Sequence, residues 1–151
     1  MKNGYPLELS SVVKSPIWGG TRLISAWGKE APAGTAGESW ELTVRKNEKS
    51  AVMNGALTGK PLEEVIRQAG ADFIAPDWSE ETFPLLIKLI DAADRLSVQV
   101  HPDDSYAARV EHDRGKTEMW YIADAEPDAE IVCGLRAGVG RAEFAAAVRA
   151  G

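Results

Sequence analysis

Ser97-Val98-Gln99-Val100-His101-Pro102, followed after a polar stretch by Gly115-Lys116-Thr117-Glu118-Met119-Trp120, decides how this chain is read. Side chains alternate faces along an extended strand. In the first stretch Ser97, Gln99 and His101 therefore share one face, and Leu96, Val98 and Val100 share the other. The apolar row suits a core, while the polar row carries an amide oxygen and an imidazole two residues apart. By the same alternation the second stretch sets Lys116, Glu118 and Trp120 on one face. Two such strands lining one barrel would bring Gln99, His101 and Glu118 around a metal ion. Alternation by itself also describes, and more often marks, a half-buried strand with its polar side in water.

The flanking segments set the fold class. Phe83 to Ile90 reads as an apolar strand, Asp91-Ala92-Ala93-Asp94 as a turn, and Arg95 to His101 as the next strand. Thr117 to Ala123 and Ala129 to Leu135 are two more, joined across Asp124 to Asp128. Upstream, Glu38 to Arg45 and Ser50 to Met53 are short strands separated by Lys46-Asn47-Glu48-Lys49. Pro16-Ile17-Trp18-Gly19-Gly20 is a turn with a flexible link, and Ala31 to Gly37 is a loop. Short antiparallel strands with tight turns predict a mainly β fold, either a sandwich or a jelly-roll barrel.

Two helical insertions are expected. Pro61 to Gln68 opens with proline, places Glu63 and Glu64 in its first turn and Arg67 later, and meets Gly70 as a stop. Leu62, Val65, Ile66 and Ala69 fall at helical spacing. Arg141 to Ala150 is a second helix, with Phe144, Ala147 and Val148 on one face.

Composition narrows the function classes. The 151 residues fit one domain and carry a formal charge of −6, which argues against a nucleic-acid partner, since that needs a basic face. An anionic substrate then requires its own local positive charge. The longest apolar run, Leu85 to Ile90, is interrupted by Lys88 and falls far short of the ~20 residues that span a bilayer. Met1-Lys2-Asn3-Gly4-Tyr5-Pro6 lacks the apolar centre of a signal peptide. With Cys133 as its one cysteine the chain has no internal disulfide to rely on, and a cytoplasmic location is expected. Cys133 itself reads as a small buried strand residue.

Phe83-Pro84-Leu85-Leu86-Ile87-Lys88-Leu89-Ile90-Asp91, Leu96-Ser97-Val98-Gln99-Val100-His101-Pro102-Asp103-Asp104 and Gly115-Lys116-Thr117-Glu118-Met119-Trp120-Tyr121 resemble the class I mannose-6-phosphate isomerases. Ile17-Trp18-Gly19-Gly20 and Gly37-Glu38-Ser39-Trp40 match the same family in the same order, and the likeness, closest to its shorter bacterial form, runs through essentially the whole chain. It implies a cupin-type jelly-roll barrel with short helical insertions, of which residues 1–151 are the N-terminal part, cut before the returning strands. It also implies one zinc ion per chain, with Gln99, His101 and Glu118 as three ligands. The fourth, a histidine in a Pro-x-Gly-x-x-His segment, and a catalytic arginine are expected beyond residue 151, in a C-terminal half that completes the catalytic group. The other histidine here, His112, lies in the polar run Glu111-His112-Asp113-Arg114-Gly115 and reads as a solvated surface residue.

The resemblance further implies a substrate pocket to which Lys116, Lys88 and Ser97 contribute donors for a sugar phosphate, with Trp18 a candidate face for the sugar ring. The implied reaction is the zinc-dependent interconversion of mannose 6-phosphate and fructose 6-phosphate through an enediol. The partner is a small sugar phosphate, with neither nucleic acid nor membrane involved. Three other readings stay open on sequence: a cupin that binds a sugar phosphate without turning it over, a cupin oxygenase with a redox metal, and an inactive fragment. The oxygenase usually has a ligand set richer in histidine, whereas Gln with Glu favours zinc.

Overall fold

A computed structural model describes residues 5–45, 47–70 and 83–151; Met1-Lys2-Asn3-Gly4 and Lys46, both read above, lie outside the described residues. The chain forms two units, Met1–Leu96 and Ser97–Gly151. It is built mainly of small sheets with a few helices, as the mainly β expectation holds.

The first unit contains β1 (Val12–Lys14), a one-turn helix α1 (Arg22–Ser25), β2 (Glu38–Leu42), β3 (Val44–Arg45), β4 (Glu48–Lys49), α2 (Leu62–Ala69) and β5 (Ile87–Ile90). β2 is the centre of an antiparallel three-stranded sheet in the order β1-β2-β5. Val12 lies opposite Trp40 and Lys14 opposite Glu38, while on the other side Trp40 lies opposite Lys88 and Glu38 opposite Ile90. Because alternate residues share a face, Lys14, Glu38, Trp40 and Lys88 come together on one side of this sheet. An irregularity in β2 between Trp40 and Leu42 shifts the register, so that Leu42 meets Ile87. β3 and β4 make a separate hairpin, with Glu48 and Lys49 inside what the sequence reads as the link.

α2 forms where its local signals place it. Pro61 sits at the N-cap, Glu63 and Glu64 occupy the first turn, and Gly70 closes the helix at a φ of 67°, its N–H reaching the Ile66 carbonyl at 3.1 Å. Leu62, Val65 and Ile66 are buried, as the helical spacing requires. The Leu62 N–H donates to the Ser50 carbonyl at 2.8 Å, and the Val52 N–H donates to the Lys60 carbonyl at 2.9 Å, which tie the start of α2 to residues 50–53. Among the described residues of this unit Leu23, Ala36 and Val52 are the other buried apolar side chains, each large one contributing on the order of 1.5–3 kcal/mol. The fully buried polar groups are partnered: Ser50 Oγ accepts from the Thr43 N–H at 3.1 Å, Thr43 Oγ1 donates to the Glu48 carbonyl at 2.9 Å, and Ser39 Oγ donates to Glu41 at 2.6 Å.

The second unit departs from the sequence expectation. Helical turns occur at α3 (Asp104–Tyr106), which runs into a π-type turn over Ala107–Glu111, and at α4 (Arg141–Ala150). Arg95 to His101, Thr117 to Ala123 and Ala129 to Leu135 are not strands: none of them makes a ladder pairing. The side chains meant for a core lie open, with Val98 at 74%, Val100 at 77%, Met119 at 92% and Val132 at 72% exposure. Cys133 is exposed too, against the buried position expected of it. The reason is that alternation marks a segment fit for a sheet, but a strand exists only when a second strand satisfies its backbone. Within the described residues of this unit, that second strand is not present. Phe83 to Ile90 is corrected in the same way: only Ile87–Ile90, the part that meets β2, is a strand.

Candidate functional site

His101 and Glu118 lie 17 residues apart in sequence, and the fold sets His101 Nε2 3.1 Å from Glu118 Oε2. Lys116 joins them, its Nζ standing 2.6 Å from Glu118 Oε1 and 3.5 Å from His101 Nε2. The three side chains are between a quarter and a third exposed, so the group opens to solvent. The Lys116 ammonium holds the Glu118 carboxyl below its usual range by hydrogen bond and by charge, with smaller help from His101 and the Trp120 indole; partial burial works the other way. Glu118 is therefore firmly anionic at neutral pH.

Among the described residues no three His, Cys, Asp or Glu side chains gather into a metal-binding group, so His101 and Glu118 would need a further donor of another kind. The distance between them is that of a direct hydrogen bond. Two ligands at ~2.0–2.1 Å from a tetrahedral zinc lie about 3.3 Å apart, close to the 3.1 Å observed. Glu118 has two oxygens to divide, Oε1 on Lys116 and Oε2 toward His101, so a cation at Oε2 leaves the lysine contact in place. Gln99 Nε2 donates to Ser97 Oγ at 3.1 Å. Among the described residues no hydrogen bond joins Gln99 to His101 or Glu118. The structure thus brings two of the three expected ligands together with Lys116, and pairs Gln99 with Ser97 beside them in sequence.

Lys88 and Trp18 belong to the first unit. Lys88 Nζ lies 3.3 Å from Glu38 Oε2 and 4.6 Å from the centre of the Trp40 ring. Lys14 Nζ lies 4.0 Å from the same ring centre and is paired with Glu48. Glu38 Oε2 also accepts from Trp40 Nε1 at 2.5 Å. Trp40 thus carries two ammonium groups, each contact contributing about 0.5–1 kcal/mol. Lys88 is thus held by Glu38 and Trp40 rather than solvated. Trp18 is half-buried: a Cβ on Gly37 would come 2.7 Å from Trp18 Cζ3, so the indole lies against that glycine. Its carbonyl accepts from the Ala93 N–H at 2.9 Å, and Gly20 N–H donates to the Asp91 carbonyl at 3.2 Å, joining the Trp18 turn to the end of β5.

Sequence reasoning singled out neither Lys14 nor Glu38, and offered Trp18, not Trp40, as an aromatic face. Their association needs the β1-β2-β5 register, which no local signal reveals. His112 is exposed with a left-handed φ of 55°, where the helical turns end, as a solvated residue would be.

The chain matches the model of the phosphomannose isomerase type I catalytic domain over residues 7–135. It is 44% identical over 148 residues to the probable mannose-6-phosphate isomerase GmuF of Bacillus subtilis, covering 97% of this chain and 46% of that protein. It is 43% identical over 132 residues to a mannose-6-phosphate isomerase of Streptococcus mutans, covering 87% of this chain and 41% of that one. The crystal structure of a Bacillus subtilis mannose 6-phosphate isomerase superposes with a TM-score of 0.66 at 36% identity, over 73% of this chain and 35% of that chain. The chain spans less than half the length of these relatives. A match of that extent to the domain model settles the lineage: the chain belongs to the type I phosphomannose isomerase family.

Proposed function

We propose that the complete protein is a zinc-dependent aldose–ketose isomerase interconverting mannose 6-phosphate and fructose 6-phosphate, and that this chain is the N-terminal part of its cupin-type catalytic domain. The observation that carries the reading is the meeting of His101, Lys116 and Glu118 within the matched family region. The length of the relatives and the open apolar segments 96–101, 117–123 and 129–135 support the view that further strands complete the barrel. A cytoplasmic site of action agrees with a single free cysteine, and no described helix is long and apolar enough to cross a membrane.

In this reading His101 Nε2, Glu118 Oε2 and the Gln99 amide oxygen hold the zinc, with a fourth ligand from outside these residues. The isomerisation would pass through an enediol as a proton moves between adjacent carbons, and zinc held by these residues would supply Lewis-acid polarisation of the substrate's carbonyl and hydroxyl oxygens. Glu118, kept anionic by Lys116, binds as a carboxylate without first losing a proton. Lys116 orients Glu118 and offers its remaining N–H donors to an anionic substrate. Lys88 and Ser97 serve as further donors to the sugar phosphate and Trp18 as an apolar face for its ring.

The test is a zinc titration of the complete gene product alongside its His101→Ala variant, with conversion of mannose 6-phosphate followed in the same preparations. Loss of both zinc binding and turnover in the variant is expected. Equal zinc affinity in the two proteins would remove His101 from the ligand set.

A further inference from the structure

Among the described residues of the second unit no strand pairing holds His101 opposite Glu118, yet the two stand in contact. What joins the segments that carry them is a closed loop. Asp104 Oδ1 accepts from the Gly115 N–H at 2.9 Å, and the Pro102 carbonyl accepts from the Lys116 N–H at 3.3 Å. Gly115 itself lies against the other end of the loop: a Cβ there would come 2.6 Å from the Asp103 carbonyl carbon and from the Asp104 nitrogen. Those atoms are backbone and cannot yield as a side chain would.

The interior of the loop is ordered by its own bonds. Asp103 Oδ1 caps α3 by accepting from the Tyr106 N–H at 2.7 Å, and the Asp103 carbonyl accepts from the Ala107 N–H at 2.9 Å. Ala107 is 1% exposed, and its carbonyl accepts from the Asp113 N–H at 3.3 Å as the chain turns back. His101 lies two residues before Asp103, and Glu118 three after Gly115. The position of the imidazole relative to the carboxylate is therefore set where the two ends of the loop meet.

We infer that Asp104 and Gly115 form a clasp that positions His101 against Glu118, with Asp104 a positioning residue for the metal pair. The inference rests on the zinc reading above and adds residues that touch neither metal nor substrate. Asp104 Oδ1 supplies an acceptor and Gly115 supplies the absence of a side chain. Both act through the backbone on the two ligands.

The experiment measures zinc affinity of the complete gene product by competition with a chromophoric chelator, and the visible absorption of the cobalt(II)-substituted protein as a report on ligand geometry. Partners bonded directly to a metal ligand change affinity by about 10- to 100-fold when removed; Asp104 acts one contact further out, so Asp104→Ala is expected at the low end, about tenfold, with a shifted cobalt spectrum. Asp104→Asn keeps an acceptor oxygen for the Gly115 N–H and is expected to stay within about threefold of wild type with its spectrum unchanged. Gly115→Ala forces the loop ends apart without touching a charge, and replaces the alanine variant at Asp104 should that one not fold. Wild-type affinity in folded Asp104→Ala or Gly115→Ala overturns the inference, as does an equal loss in Asp104→Ala and Asp104→Asn. His101→Ala separates the two levels. If it binds zinc like wild type, the metal reading itself has failed. If it loses zinc while Asp104→Ala does not, only the clasp has failed.

Discussion

Removing the Glu38 carboxylate cuts two bonds that converge on one oxygen, the Trp40 indole N–H at 2.5 Å and the Lys88 ammonium at 3.3 Å. A hydrogen bond to a charged group contributes about 1.5–3 kcal/mol net, and half-buried Trp40 belongs at the lower end of that range. An ion pair between partly exposed side chains adds about 0.2–1 kcal/mol. Glu38→Ala is therefore expected to cost about 2–3 kcal/mol. Glu38→Gln keeps an oxygen for the indole and gives up only the charge, so its cost should be about 1 kcal/mol. Urea denaturation of the complete gene product, followed by tryptophan fluorescence, measures both. A double-mutant cycle with Lys88→Met should return a coupling of about 0.5–1 kcal/mol. The reasoning is refuted if the glutamine variant is as unstable as the alanine variant, or if the cycle shows no coupling. A functional consequence follows as well. Since Lys88 is proposed to meet the substrate's phosphate, Glu38→Ala should raise KM for mannose 6-phosphate more than it lowers kcat.

In α2, Ile66→Ala should cost about 2–4 kcal/mol in urea denaturation because that side chain is buried, while its exposed neighbour Arg67→Ala should stay within about 0.5 kcal/mol. A Cβ at Gly19 meets the Gly37 backbone nitrogen at 2.5 Å, whereas one at Gly20 meets the Asp91 carboxylate, a side chain that can turn away at the cost of its bond to the Arg22 N–H. Gly19→Ala should therefore lower the thermal midpoint more than Gly20→Ala; the reverse order would show that the Asp91 carboxylate, which accepts from the Arg22 N–H at 2.7 Å, matters more than backbone contact. Lys116→Met in the complete enzyme should raise KM for the phosphorylated sugar, and an unchanged KM would remove Lys116 from substrate binding.

The elements legible in sequence are those whose determinants are local. α2 was announced by Pro61, its acidic first turn, the spacing of Leu62, Val65 and Ile66, and Gly70. α4 forms over Arg141–Ala150 as the spacing of Phe144, Ala147 and Val148 predicts, with the Gly140 N–H donating to Glu143 Oε2 at 3.0 Å at its start. The turns at 104–111 carried a local signal that went unread: Asp103 is an N-cap residue followed by Asp104 and Ser105, both at home in a first turn. The Lys14–Trp40–Lys88 association was not legible, because it depends on pairing residues 26 and 48 positions apart, and alternation within one strand says nothing about which strand lies beside it. The same limit explains the second unit. Val98, Val100 and Met119 have the pattern of inward-facing residues, but pattern records a capacity for burial and does not supply the surface that buries them. His101 and Glu118 stand in contact although neither lies on a strand, so their meeting comes from the turn between them and not from the paired strands that alternation implies.

The β1-β2-β5 register also sets a timetable for synthesis. The β3-β4 hairpin and α2 join residues close in sequence, close in microseconds and need no later segment to do so. β2 must wait for β5, which follows it by about 45 residues. At roughly 5–20 residues per second a ribosome takes about 2–9 s to make that stretch. For that interval Trp40 has only β1 beside it and Leu42 has no partner strand, and the nascent chain presents one unpaired β edge next to a ring that will later receive Lys88. Closure of the sheet is thus timed by translation rather than by the chemistry of strand pairing, so codons between Leu42 and Ile87 influence how long that edge is open to another chain.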